Sequence, residues 1–116
     1  MPIRITNQTR GTLLAEAADV ADDSRKRRTG LLKRDRLESG EGLWIVPCEA
    51  VHSFGMRFTI DVLFLDRAKR VRKLRKSLNP SRISACLLAH SVLELPEGTI
   101  ELSQTQRGDQ LVFERP

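Results

Sequence analysis

Asp61 is the residue whose setting most calls for chemistry. It lies in FTIDVLFLD, Phe58 to Asp66, where Phe58, Ile60, Val62 and Phe64 alternate with Asp61, Leu63 and Leu65. Both faces of this stretch are apolar apart from one carboxylate, which predicts a central strand. A carboxylate there either borders a cavity or is buried against a partner, because an unpaired buried one takes up a proton. Candidate partners are Arg57, Arg82, His90 and His52. Arg57 precedes Asp61 by about 13 Å along a straight strand at ~3.3 Å per residue, so direct pairing needs a bend. The carboxylate then has three uses: tying a loop down through backbone N–H groups, gripping a ligand, or moving a proton.

Cys48, His52 and Met56 form C-x3-H-x3-M. On a helix these soft and borderline ligands would share a face and could hold Cu(I). Pro47, Gly55 and the β-branched residues between them speak against a continuous helix, so core packing is the expectation and no metal is assigned. Cys48 with His52, or Cys86 with His90, is formally a nucleophile and base. Each pair is spaced i, i+4, which a strand places on one face but out of touch, and an orienting third group is missing. No P-loop, Rossmann glycine pattern, serine elbow or HExxH occurs. Glu94 and Glu97 read as strand-end solvation, and Asp109 as the residue shaping the last turn.

The elements that must position these groups follow from the hydrophobic pattern. Ile3 and Ile5 open a short strand, Asn7 to Gly11 turns, and Thr12 to Ala17 forms a weak second strand. Asp22 and Asp23 precede SRKRRTGLLKR, an acidic N-cap before a basic helix, with Gly30 either stopping it or meeting another backbone. Val20, Leu31 and Leu32 are its expected anchors. Gly42 to Val46 is a strand stopped by Pro47, and Pro47 to Arg57 has no period. After Phe58 to Asp66, a turn near Arg67 to Lys69 leads to a charged edge strand, Val71 to Ser77. Asn79-Pro80 breaks the chain, Leu87 to Leu95 forms an interior strand, Pro96 and Gly98 open a short irregular or helical piece, and Gln110 to Glu114 closes the chain. Seven strands and one convincing helix predict a mainly β (β-rich α+β) chain. The expected form is a compact antiparallel sandwich or barrel with one short N-terminal helix, residues 1–116 as a single domain.

Charge is segregated. Of the 20 Lys and Arg residues in 116, seven lie in 25–36 and seven in 67–76, while the net charge is only +5. Such clusters attract phosphates or nucleic acid, or simply solvate two edges and block strand pairing. Neither contains a Phe or Tyr to stack on bases, which weakens the nucleic-acid reading. No apolar run reaches the 18 residues of a membrane span, and no signal peptide is recognisable, so a cytoplasmic location is expected. Cys48 and Cys86 fit it as free, buried thiols, with pairing left open.

Leu43 to Asp66 also holds the only Trp and three of the four Phe. The succession GLLKRDRLESGEGLWIVPCEAVHSFGMRFTIDVLFLD, then Leu78-Asn79-Pro80, VLELPEGT and a late GDQL, resembles domain of unknown function 192, also called uncharacterised protein family 127. The likeness runs from about Leu14 to Val112. It implies a compact, mostly β fold of bacteria and archaea with a short helix near the N-terminus. Many members resemble exported proteins, and many carry Phe-Trp-Met where this chain reads Phe54-Gly55-Met56. The resemblance implies no reaction, cofactor or catalytic residue.

These observations point to a non-catalytic binding or accessory module with a shallow pocket formed by Phe54, Met56, Arg57 and Asp61. Arg57 would pair an anionic group, Asp61 would fix orientation, and Phe54 and Met56 would add apolar contact. The partner is a small anionic ligand or another protein, and no cofactor is expected. Two alternatives remain: a small enzyme using Asp61 as acid or base, and electrostatic nucleic-acid binding through 25–36 and 67–76. Oligomeric state is open.

Overall fold

The strand Ile60–Leu65, buried along its whole length, organises the molecule. We describe residues 2–115 of a computed structural model. Along the chain lie β1 (Ile3–Asn7), β2 (Thr12–Ala21), α1 (Ser24–Thr29), β3 (Glu41–Ile45), β4 (Ala50–His52), β5 (Ile60–Leu65), β6 (Val71–Leu78), β7 (Ile83–Ala85), β8 (Ser91–Pro96), α2 (Thr99–Leu102) and β9 (Leu111–Glu114). Seven strands form one sheet in the order β6-β5-β8-β3-β2-β1-β9, and β4 and β7 form a separate two-stranded sheet.

The sheet curls into a half-barrel whose edges meet at one end. Val71 N–H donates to Asp109 O at 2.9 Å, Leu111 N–H to Lys69 O at 3.0 Å, and Gly108 N–H to Val71 O at 2.7 Å. Inside pack Ile3, Ile5, Leu14, Leu63, Leu65, Leu93, Leu95, Ile100 and Leu111. The outer face of β3, β5 and β8 carries a second core of Leu43, Ile45, Val62, Phe64 and Val92, covered by Leu31, Leu37, Val51 and Met56. The alternation in Phe58 to Asp66 thus assigns the faces of β5 correctly: Val62 and Phe64 face outward, Leu63 and Leu65 inward. β5 is interior because both of its faces meet a core, and charged β6 is an edge.

Several expectations need correction. The sheet is not wholly antiparallel: β2 and β3 run parallel, Ala17 opposite Glu41 through Ala21 opposite Ile45. The parallel return is possible because residues 22–40, with α1, cross over between them. Val20 is no helix anchor, since it belongs to β2 and packs on the inner core, whereas Leu31 and Leu32 do hold the crossover down. The helix ends at Gly30, whose φ of 47° and ψ of −126° are closed to residues with a Cβ. Its start is as read: Asp23 accepts the Lys26 N–H at 2.8 Å. The interior strand predicted from Leu87 begins only at Ser91, and Leu87 and Leu88 lie exposed in the approach loop. The period-free segment Pro47 to Arg57 contains β4, which pairs with β7.

Candidate functional site

The four residues predicted to share a pocket are spread over different surroundings. Asp61, 1% exposed, lies on the inner face of β5. One carboxylate oxygen accepts the Ser77 N–H at 3.0 Å, and the other accepts Gly98 N–H at 3.1 Å and Ile100 N–H at 2.9 Å. Gly98 precedes α2 and offers the helix no side-chain cap, so Asp61 caps it from across the sheet. With three amide donors on it, this carboxylate lacks the unmet demand that would draw a ligand. Arg57 is exposed and paired with Asp35 in the crossover. Phe54 is half exposed and stacks on His52 with ring centroids 5.5 Å apart. Met56 is buried in the outer core.

Of the four, Met56 lines a cavity of about 510 Å³ between α1, β4 and the outer face of the sheet. Its lining includes the apolar Leu31, Leu32, Ile45, Val51 and Met56, the basic Arg27 and Arg28 of α1, and Cys48, His52 and the buried Glu94. Glu94 is 4% exposed and sits on β8 directly between Leu43 of β3 and Val62 of β5. Among the described residues its carboxyl makes no hydrogen bond and no salt bridge. Burial with no compensating charge pushes its pKa from 4.5 up to about 7. Reading Glu94 as strand-end solvation is therefore overturned. The signal was present in VLEL, an acid inside an apolar strand, which is the same pattern that singled out Asp61.

The other polar groups of this cavity are less free. Cys48 Sγ donates to Ala50 O at 3.1 Å, and burial, helped by the charge of Glu94, raises the thiol's pKa. Arg27 donates to Asp22 O at 3.0 Å, which holds its guanidinium against the start of α1. Arg28 makes no salt bridge among the described residues. Cys48, His52 and Met56 do line one cavity, but on loop, strand and loop, not one helix face. Among the described residues, no three His, Cys, Asp or Glu side chains converge on a point that would hold a metal ion.

A third buried carboxylate, Asp109, is fully engaged. Arg10 grips it through two contacts at 3.0 and 3.1 Å, Asn7 Nδ2 donates at 2.9 Å, and the Gln106 N–H donates at 2.9 Å. Burial raises its pKa, but these hydrogen bonds and the Arg10 charge outweigh that and leave it lowered. Asp61 and Asp109 are thus supplied with donors, and Glu94 is the buried acid that is not.

Comparison with known proteins gives the same architecture. A solved structure from Sinorhizobium meliloti 1021, described as a candidate transcription regulator, matches with a TM-score of 0.84 at 21% identity, over 96% of this chain and 91% of that one. A protein of unknown function from Novosphingobium aromaticivorans matches with a TM-score of 0.82 at 19% identity, over 97% and 84%. At those identities the likeness is one of fold alone. A UPF0127 protein of Thermococcus sibiricus is 28% identical over 95% of this chain and 74% of its own length. The family model for DUF192, described as an uncharacterized ACR, matches residues 5–113, so the chain belongs to that family.

Proposed function

We propose that the protein is a non-catalytic module that binds a small ligand in the cavity between α1, β4 and β8. The observation that carries this reading is Glu94, a residue only 4% exposed that lines the cavity and makes no hydrogen bond or salt bridge among the described residues. An acid that lines a cavity without a protein partner is available to a ligand's donor. The volume of about 510 Å³ suits a drug-sized or smaller molecule, and its lining mixes apolar side chains with Arg27, Arg28, His52 and Glu94. Arg27 and Arg28 favour a ligand whose outer end is anionic. Against thiol catalysis stands the state of Cys48, which donates to a backbone carbonyl and whose pKa burial raises. The two cysteines, both free, suit a cytoplasmic setting, which cell fractionation would test.

A metabolite screen read by amide NMR shifts tests the proposal. Shifts confined to residues lining this cavity support it, and hits that map elsewhere, or none, overturn it. A second reading takes the exposed basic residues of α1 as a phosphate-binding stripe, in keeping with the regulator description of the Sinorhizobium protein. It requires duplex DNA binding that weakens steeply as salt rises, and absence of binding at low salt removes it.

A further inference from the structure

We infer that the ligand of this cavity carries an amine, whose ammonium binds the Glu94 carboxylate while its acidic end faces Arg27 and Arg28. The inference rests on the binding reading above and assigns its chemistry.

Three observations lead to it. Glu94 is buried between Leu43 and Val62, and among the described residues no cation or N–H donor reaches its carboxyl. The positive charge of the lining is on α1, where Arg28 is exposed and Arg27 donates to Asp22 O at 3.0 Å. The same lining holds the apolar side chains Leu31, Ile45, Val51 and Met56. The cavity lining therefore combines a buried acid, apolar side chains and two arginines on its more exposed side. A molecule with an ammonium, a short apolar spacer and an acid complements that set. An anion alone would leave Glu94 unanswered, and a neutral ligand would leave both charges so.

The protonation of Glu94 supplies an independent mark. Its pKa of about 7 means that an incoming ammonium displaces a proton when the solution is below neutrality. Affinity for the amine then rises as pH rises through that value. The titratable and charged groups that share the cavity lining with Glu94 are Arg27 and Arg28 from α1, Cys48 from the β3–β4 connection and His52 from β4. Imidazoles ordinarily change charge in this window too. A His52→Gln variant separates the two sources, because it should keep the slope.

The experiment compares three probes of matched length, 6-aminohexanoate, hexanoate and hexylamine, by NMR titration of wild type and Glu94→Gln. We expect 6-aminohexanoate to bind at least about tenfold tighter than hexanoate, the equivalent of one added charged contact of ~1.4 kcal/mol. That advantage should vanish in Glu94→Gln, while hexanoate binding at the arginines stays unchanged. If hexanoate binds in the cavity as tightly as 6-aminohexanoate, or if Glu94→Gln keeps the preference, the amine assignment falls and the binding site stands. If none of the probes shifts a cavity residue at millimolar concentration, the binding reading falls with it.

Discussion

The carboxylate of Asp61 accepts the Ile100 N–H at 2.9 Å across 39 residues of sequence. With Gly98 and Ser77 as its other donors, it joins β5, the end of β6 and the start of α2 at one point. Asp61→Ala leaves three amides without this partner, that of Ile100 buried and those of Ser77 and Gly98 partly so. We expect a loss of about 1–3 kcal/mol, the cost of one orphaned buried group, measured by urea denaturation. Probe binding in the Glu94 cavity should survive at urea concentrations where the variant is still folded. Loss of binding in the folded variant would put Asp61 back into the site.

Glu94 should make stability fall as pH rises. Its folded pKa of about 7 lies above its ordinary 4.5, so the folded form holds the proton more tightly. Stability is greatest below 4.5 and declines until the pH passes about 7, where the full difference of roughly 3 kcal/mol is lost. Glu94→Gln cannot ionise and should be more stable than wild type at pH 8, with little gap at pH 4. Equal curves for the two proteins in thermal unfolding across this range would refute the placement of the carboxyl.

Asp109 should show the opposite slope. Its pKa is lowered below 3.8, so the stability from Arg10, Asn7 and the Gln106 N–H is present above that value and disappears as pH falls through the lowered one. Asp109→Asn lacks the ionised partner at every pH. Its acid unfolding curve should therefore be flatter than that of wild type, and a parallel curve would show that the clamp contributes nothing.

Cys48 should alkylate slowly. Burial raises its thiol pKa, and the Sγ–Ala50 contact occupies its proton, so at pH 8 little thiolate is present. Mass-resolved labelling with iodoacetamide should run below the rate of a free thiol, and faster labelling would mean that the cavity opens more widely than its walls suggest.

What could be read from the residues alone was mostly what periodicity carries. Ile60 to Leu65 declares a strand with two buried faces because no position but Asp61 is polar, and the long apolar strands leave little choice of face. The β4–β7 pair stayed hidden because each strand has three residues, with only Val51 and Ser84 buried, and some thirty residues part them in sequence. Leu87 and Leu88 mislead in the other direction, being apolar and exposed. The site was half legible. Asp61 and Glu94 carry one signal, an acid within an interior strand, but only the fold shows that three amides meet the first and none reaches the second. Which carboxylate is satisfied depends on the turn before α2, a tertiary matter that no local pattern encodes.

The pairing of β1 with β9, Arg4 opposite Glu114 through Asn7 opposite Leu111, has a consequence for how the protein is made. Because β1 lies between β2 and β9, one of its edges stays bare until β9 has been made. Pairings this distant in sequence form slowly because chain entropy is lost before the contacts are gained. Completion of the sheet thus waits on its most C-terminal strand. Nascent chains arrested before Leu111 should remain open to protease, while chains in which β9 is free to pair should be protected.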